Sequence, residues 1–105
     1  LAPSARLVVL IKPQFEAGRQ AVGKNGVVRD PRMHRRVLDE MLRFFAEEGL
    51  HLDWLSHSPV TGGEGNIEYL AVLTVPPVSG TPLFPDTRAI VERAFSSFSR
   101  RLNPA

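Results

Sequence analysis

A lysine and a glutamate at the ends of two apolar segments are the first candidates for chemistry in this sequence. Lys12 directly follows the apolar residues 6–11, and Glu68 lies at the beginning of residues 67–75. If the second segment lies beside the first and runs in the opposite direction, Lys12 faces Glu68. A lysine beside a carboxylate, at the edge where open α/β sheets bind ligands, is a candidate catalytic pair. A structural salt bridge that ends two strands is the competing interpretation.

The hydrophobic pattern of the first half predicts the elements that would position Lys12. Residues 6–11 are a continuous apolar run, which is typical of a strand buried on both faces. Pro13 ends this strand because proline cannot continue a central ladder. Residues 13–29 show little periodicity and predict a long loop. Asp30 before a proline predicts a helix start, and Gly49 predicts where that helix ends.

The second half predicts two more strands and a second helix. Residues 51–57 are expected to form a strand with Leu52 and Trp54 on one face, followed by a turn-rich loop. Residues 67–75 are apolar on both faces and predict a central strand that begins near Glu68. After a proline-rich connector, residues 86–102 predict an amphipathic helix.

The order strand, helix, strand, strand, helix predicts an α/β fold with a defined topology. The first crossover contains a helix and is long enough for a right-handed βαβ unit, so the first two strands should be parallel. The loop of residues 58–66 is too short to contain a helix. The third strand is therefore expected to run antiparallel, with its beginning near the end of the first strand.

Composition excludes several classes of protein. The 105 residues correspond to about one small domain, and 43% are hydrophobic. The absence of cysteine excludes disulfides and cysteine zinc sites, and it fits a reducing, cytoplasmic compartment. No apolar run is long enough to span a membrane, and the three histidines do not have metal-ligand spacing. Because the chain begins almost inside a strand and without Met, we expect it to be part of a longer protein.

Basic residues are concentrated in one stretch, although the net charge is only +2. This stretch contains a single acid, Asp30, and the following basic residues: Arg19, Lys24, Arg29, Arg32, Arg35 and Arg36. Nucleic acid is the usual partner of such a patch. A solvated basic face explains the same pattern.

Four motifs in sequence order carry a resemblance to a known family. They are KPQFE (residues 12–16), GKNGVVRDP (23–31), SP (58–59) and GNIEY (65–69). This set resembles the TlyA, or hemolysin A-like, family, which is similar to the wider FtsJ-like group of RNA ribose methyltransferases. The resemblance extends from about residue 1 to residue 74, and the tail beyond it resembles no family that we can name.

The resemblance implies a fold and an activity. The fold would be the C-terminal part of a Rossmann-like S-adenosylmethionine-dependent methyltransferase, spanning residues 1–75, followed by a connector and a helix in residues 76–105. The activity would be methyl transfer from S-adenosylmethionine to a ribose 2′-hydroxyl of ribosomal RNA. The family's glycine-rich cofactor loop, its first catalytic lysine and its aspartate have no counterpart in this chain. We therefore expect this chain to be inactive by itself.

The resemblance also implies roles for individual residues. Lys12 corresponds to the second catalytic lysine, and Glu68 corresponds to the catalytic glutamate. A lysine can take a proton from the ribose hydroxyl when it is neutral, or it can orient that hydroxyl while charged, and the sequence leaves both roles open. No metal is required, because the sulfonium donor is already activated.

RNA contacts are expected from the loop that follows Lys12. Arg19, Lys24 and Arg29 are candidates for contacts with phosphates, which would position RNA without reading its sequence. Phe15 is a candidate for stacking on a base, although an aromatic residue after a strand end is more often part of the core.

Two other functions compete with the methyltransferase. A non-catalytic RNA-binding module would explain the basic loop, and a membrane-active hemolysin would explain the second family name. The mixed charges of the last helix and the absence of an apolar span argue against membrane activity. We also expect the chain to form a symmetric homodimer, either by pairing the two copies of residues 6–11 or by swapping the last helix, because an apolar strand edge is an open template for another chain.

Overall fold

Three strands and two long helices make up most of the chain in the computed structural model, which describes residues 5–16, 26–62, 65–75 and 84–102. The elements in chain order are β1 (Ala5–Ile11), α1 (Pro13–Glu16), α2 (Pro31–Glu47), β2 (His51–His57), β3 (Tyr69–Val75) and α3 (Thr87–Leu102). Apart from the short α1, these elements follow the order expected from the sequence.

The sheet has the order β1-β3-β2, with β3 in the centre. β3 runs antiparallel to both neighbours, so β1 and β2 point in the same direction. The strand directions expected from the loop lengths are therefore confirmed. Because Ile11 pairs with Tyr69, the end of β1 and the beginning of β3 lie at the same edge of the sheet.

The start and the end of α2 follow from local chemistry. Asp30 has an extended backbone, and its Oδ1 accepts a hydrogen bond from the Arg32 backbone N–H at 2.9 Å. A proline follows it at the first helical position, where no intrahelical donor is lost. The Arg32 side chain also bonds the Asp30 carboxyl and lowers its pKa. After the helix, Gly49 adopts φ 72°, a conformation that glycine tolerates best.

The core lies between one face of the sheet and the two long helices. β3 contributes Tyr69, Ala71 and Leu73, which are completely buried. The helices cover this face with apolar side chains, namely Val37, Leu38 and Phe45 from α2 and Ile90, Val91 and Ala94 from α3. Burying such side chains contributes about 1.5–3 kcal/mol each. This packing fixes the sheet edge that carries Lys12 and Glu68.

The expectation of a loop throughout residues 13–29 is wrong at its beginning. Pro13 to Glu16 form one helical turn, in which the backbone N–H groups of Phe15 and Glu16 donate to the Lys12 carbonyl at 3.0 and 3.2 Å. Pro13 fits the start of a helical turn because its φ is already helical. Periodicity cannot reveal a four-residue turn. Residues 17–25 of the expected loop lie outside the described residues.

Leu52 and Trp54 do not share a face of β2, contrary to expectation. Leu52 and Leu55 are buried, whereas Trp54 is 48% exposed. The register shifts between Leu52 and Trp54, so Asp53 is an extra residue that reverses the alternation beyond it. The Asp53 carboxylate accepts hydrogen bonds from Thr74 and His51, which anchors the bulge to β3.

β1 is less covered than the sequence predicts. Leu7, Val8 and Leu10 are exposed, whereas the apolar run predicts a strand buried on both faces. The reason is topological, because β1 pairs only with β3 among the described residues and its other edge is open. The side of the sheet that bears the register partners Val8, Val72 and Trp54 is partly open, since Val8 and Trp54 are 71% and 48% exposed.

The open edge of β1 predicts that the chain self-associates. Light scattering should give a mass near twice 11.6 kDa. Val8→Lys places a charge on the exposed strand and should shift the mass toward that of the monomer, because charged edges resist strand pairing. Val60→Lys is the matched control, since Val60 is equally exposed but lies in a loop. A wild-type chain that stays monomeric at high concentration would contradict this prediction.

Candidate functional site

Lys12 and Glu68 lie at the same edge of the sheet. They immediately follow and precede the register pair formed by Ile11 and Tyr69. Glu68 is one residue upstream of β3 rather than inside it, but its carbonyl still accepts a hydrogen bond from the Ser58 backbone N–H at 2.8 Å. The topology that the sequence predicts for this pair is thus present.

The Glu68 carboxylate is bound by Gln14 and not by Lys12. Gln14 Nε2 donates to Glu68 Oε2 at 2.7 Å, and Glu68 is only 6% exposed. None of the ion pairs of the described residues involves Lys12 or Glu68. The structural salt bridge that competed with the catalytic interpretation is therefore not formed here. A buried carboxylate needs such a donor, because losing water without a replacement hydrogen bond is costly.

Gly62 packs directly under the Glu68 carboxylate. A β-carbon on Gly62 would lie only 2.8 Å from Oε1 of Glu68 and still closer to its Cδ and Oε2. The backbone N–H of Gly62 donates to the Asn66 carbonyl at 2.7 Å, which holds the loop across the carboxylate. The absence of a side chain at residue 62 is what leaves room for Glu68.

Lys12 is only half-buried at this edge, in contrast to Glu68. Its Nζ is 5.7 Å from the centroid of the Phe15 ring, within the range of a cation–π interaction. Phe15 is 74% exposed, so it is a surface residue and not part of the core. Lys12 and Phe15 together present an ammonium group beside an exposed aromatic face.

Asn66 connects the edge to the segment that precedes α2. Its Oδ1 accepts from the Val28 backbone N–H at 3.1 Å, and its Nδ2 donates to the Gly26 carbonyl at 2.8 Å. Asn66 is 2% exposed, and its bond with Val28 is buried, whereas its bond with the exposed Gly26 is only partly buried. The start of α2 is thereby attached to the same loop that carries Glu68.

His34 fixes the same segment from the other side. Its Nε2 lies 2.8 Å from the Val28 carbonyl and must donate to it, so Nδ1 accepts the Tyr69 hydroxyl proton at 2.9 Å. Burial lowers the pKa of His34 and raises that of Tyr69, because both charged forms lose water. The buried His34 side chain therefore links α2 to the Val28 backbone and to Tyr69.

The basic patch is only partly free of acidic partners. Arg29 is exposed, whereas the three arginines that follow it pair with acids: Arg32 with Asp30, Arg35 with Asp39 and Arg36 with Glu40. Arg19 and Lys24 lie outside the described residues. Of the basic residues of this patch that the structure describes, Arg29 is the one that forms no ion pair with an acid.

Comparison with known proteins decides the family. The model of the FtsJ-like methyltransferase family matches residues 1–75. The chain belongs to this family. The match ends with β3, and α3 lies beyond it.

Three curated relatives are similar to this FtsJ-like chain over 61–72% of its residues. YqxC of Bacillus subtilis, whose name refers to an rRNA methyltransferase, is 54% identical over 76 residues, which are 72% of this chain and 27% of YqxC. The 16S/23S rRNA (cytidine-2′-O)-methyltransferase TlyA of Mycobacterium tuberculosis is 43% identical over 62% of this chain and 24% of its own length. Hemolysin A of Brachyspira hyodysenteriae is 42% identical over 61% of this chain. The chain thus spans about a quarter of the length of its curated relatives.

Solved structures show the same fold over more of the chain. A hemolysin-named protein of Streptococcus thermophilus superposes with a TM-score of 0.81 and 35% identity, covering 97% of this chain and 37% of that protein. A hemolysin-named protein of Lactococcus lactis gives a TM-score of 0.72 and 32% identity, covering 89% of this chain and 44% of that protein. The family and the hemolysin-like names expected from the motifs are confirmed.

The FtsJ-like chain offers no metal or membrane-spanning site in its described residues. No group of three or more His, Cys, Asp or Glu side chains there could hold a metal ion. No helix among those residues is both long and apolar enough to cross a bilayer.

Sequence analysis missed four residues of this edge, which are Gln14, Gly62, Asn66 and His34. Gln14 and Asn66 are each two residues from a catalytic candidate, but spacing does not show where their side chains point. His34 carried a usable signal, because it lies one helical turn before Leu38 on the apolar stripe of α2. A single polar residue on such a stripe predicts a buried hydrogen bond.

Titration of His34 should make stability depend on pH. An unfolded histidine is protonated below pH ~6.5, whereas burial keeps His34 neutral to lower pH. The free energy of unfolding should therefore be highest above that pH and fall below it, by up to about 1.4 kcal/mol per pH unit, until the folded pKa is passed. Urea unfolding on either side of pH ~6.5 measures the change.

His34→Gln is the control for this titration, since it removes the ionisable ring. Asp30 and Asp53 also have lowered pKa values, but their contributions are lost only below their ordinary values near 3.8. A slope that persists in His34→Gln would assign the pH dependence to another group.

Proposed function

We propose that this chain is the C-terminal half of the catalytic domain of an rRNA 2′-O-methyltransferase, which transfers a methyl group from S-adenosylmethionine to a ribose 2′-hydroxyl. Family membership and the similarity to TlyA, which is named as a 16S/23S rRNA (cytidine-2′-O)-methyltransferase, support this proposal. The structural observation that supports it most is the convergence of Lys12 and Glu68 at one sheet edge. We further propose a Rossmann-like domain that ends near residue 75, with residues 76–105 adding a connector and a helix.

The described residues do not fit S-adenosylmethionine by themselves. β1 runs directly into Lys12 and the helical turn α1, without a glycine-rich turn that would admit the cofactor. We therefore place the cofactor site in the preceding part of the protein. When bound, the cofactor would supply an activated methyl group to the edge that this chain contributes.

The residues of this chain would prepare the ribose hydroxyl for attack. A hydroxyl is a weak nucleophile until a base removes or shares its proton. Lys12 is the candidate group for this task, because it is only partly buried and forms no ion pair with Glu68, whose carboxylate is bound by Gln14. Glu68 is buried and accepts a hydrogen bond from Gln14, and it would keep the geometry of the edge fixed.

RNA would approach from the side of Phe15 and Arg29. The exposed Phe15 ring lies beside Lys12, so a base stacked on it would bring its ribose toward the ammonium group. Arg29 is exposed and could contact a phosphate, which positions RNA without reading its sequence. Arg19 and Lys24 are proposed to act in the same way. Ribosomal RNA is accordingly the proposed partner. We also propose that the chain forms a homodimer and that the protein acts in the cytoplasm.

A non-catalytic RNA-binding module remains the second candidate, because Phe15 and Arg29 would serve it equally well. It differs from the enzyme in one respect, since it gives no role to the buried Glu68. Substitutions at the edge would then change RNA affinity and not turnover.

Replacement of Lys12 in the complete enzyme tests the proposal. Lys12→Ala should lower kcat by about 10²–10⁴, the range for loss of a general base. Arginine keeps the charge but does not deprotonate, so Lys12→Arg should be equally inactive if Lys12 is the base and partly active if it only orients the hydroxyl. Transfer of labelled methyl groups to rRNA measures both variants.

Arg93→Ala is the control for this experiment, because Arg93 is exposed on α3. If Lys12→Ala keeps the wild-type kcat but binds RNA less tightly, the RNA-binding module replaces the enzyme as the function of this edge.

A further inference from the structure

The buried carboxylate of Glu68 needs a device that keeps it at the sheet edge. We propose that Gln14 and Gly62 form a carboxylate seat that positions Glu68, Gln14 by its amide and Gly62 by its missing side chain. Both are positioning residues, since they act through Glu68 and not on the substrate. This inference rests on the proposed function for its catalytic consequence but not for the contact itself.

The amide of Gln14 is oriented by Glu68. An ionised carboxylate only accepts hydrogen bonds, so the donor Nε2 must face it, as the 2.7 Å bond shows. The other amide atom, Oε1, is buried and has no hydrogen-bond partner among the described residues. Buried polar side-chain atoms in proteins usually have a hydrogen-bond partner, so a glutamine that serves only local structure would be expected to use both its amide nitrogen and its amide oxygen. Here Gln14 uses its Nε2 to bind Glu68, although its Oε1 is left without a partner among the described residues.

The helical turn α1 is what brings Gln14 to this position. A single helical turn begins at Lys12, whose carbonyl accepts the N–H groups of Phe15 and Glu16. Without this turn, residues after Lys12 would continue along the direction of β1 and away from Glu68. The same turn leaves Phe15 exposed near Lys12, so Gln14 contacts Glu68 while Phe15 lies beside Lys12.

Gly62 is required for space and not for backbone conformation. Gly26, Gly49 and Gly65 have positive φ values with nothing near their missing side chains, whereas Gly62 does not share this conformation. A methyl group on Gly62 would lie closer to the Glu68 carboxyl group than van der Waals contact allows. Alanine at this residue must therefore displace Glu68.

The seat separates the two charges of the candidate pair. A carboxylate bound by Gln14 and enclosed by Gly62 does not neutralise Lys12, whose ammonium lies toward Phe15 instead. Lys12 thus keeps its freedom to meet the ribose hydroxyl. Displacing Glu68 from the seat would let it pair with Lys12 and would slow turnover without changing the surface that binds RNA.

The contact is tested in the 105-residue chain by urea unfolding. Gly62→Ala should lower the unfolding midpoint, and most of this loss should disappear when Glu68→Ala is also present, because the clash is then gone. Gly65→Ala is the matched control, since its strain comes from φ +80° and should cost the same in both backgrounds. Equal losses for Gly62→Ala in both backgrounds would overturn the seat.

The catalytic consequence is tested in the complete enzyme. Gln14→Met keeps the length of the side chain but removes the donor, and should lower kcat about tenfold, equivalent to roughly 1.4 kcal/mol, with KM for RNA unchanged. Glu16→Met, an exposed residue of the same turn, should retain the wild-type kcat. A wild-type kcat for Gln14→Met, or a change in KM alone, would overturn the positioning role.

The double variant Gln14→Glu with Glu68→Gln separates the effect of the hydrogen bond on stability from the effect of the carboxylate's position on turnover. It can rebuild the hydrogen bond with donor and acceptor reversed, so the unfolding midpoint should recover relative to Gln14→Glu alone, which places two carboxylates together. The kcat should stay low, because the carboxylate is then in the wrong place. Full recovery of kcat would contradict a positioned Glu68. If the complete wild-type enzyme methylates no RNA, the proposed function fails, while the unfolding experiment still decides whether the seat exists.

Discussion

The antiparallel pairing of β1 with β3 is the constraint on which the site depends. Seven residue pairs, from Ala5 with Val75 to Ile11 with Tyr69, fix where one strand ends relative to the start of the other. A slip of one residue would turn every β3 side chain to the other face and expose Tyr69, Ala71 and Leu73. The buried core therefore sets the register, and the register sets the distance from Lys12 to Glu68.

Polar bonds extend this constraint beyond the sheet. Asn66 and His34 bond the backbone around Val28, and His34 also bonds Tyr69, the first residue of β3. Buried networks of this kind stabilise one arrangement when every member is satisfied and are costly when one partner is lost. The end of the basic loop is thus attached to the strand that carries the edge, so the proposed RNA contact at Arg29 and the proposed chemistry at Lys12 would share one support.

Local rules and topology explain which parts of the structure were predictable. The start of α2 followed from Asp30 and its proline, and the strand directions followed from loop lengths, because both depend on neighbouring residues. The exposure of Trp54 did not, since one bulged residue reverses a strand's alternation without a signal in composition. The contact of Gln14 with Glu68 joins residues 54 apart in sequence, and it depends on a single helical turn too short to have a period. Gly62 was equally invisible, because its role is the space that it leaves.

Identifying the atom that accepts the methyl group is the most direct test of the proposal that this edge belongs to a ribose methyltransferase. The complete enzyme should transfer a labelled methyl group to rRNA, and the product should resist alkaline cleavage after the modified nucleotide, because a free 2′-hydroxyl is needed for that cleavage. An acceptor with 2′-deoxyribose at the same nucleotide should receive no label. Equal labelling of the deoxy acceptor would contradict the account, since the methyl group would then reside on a base.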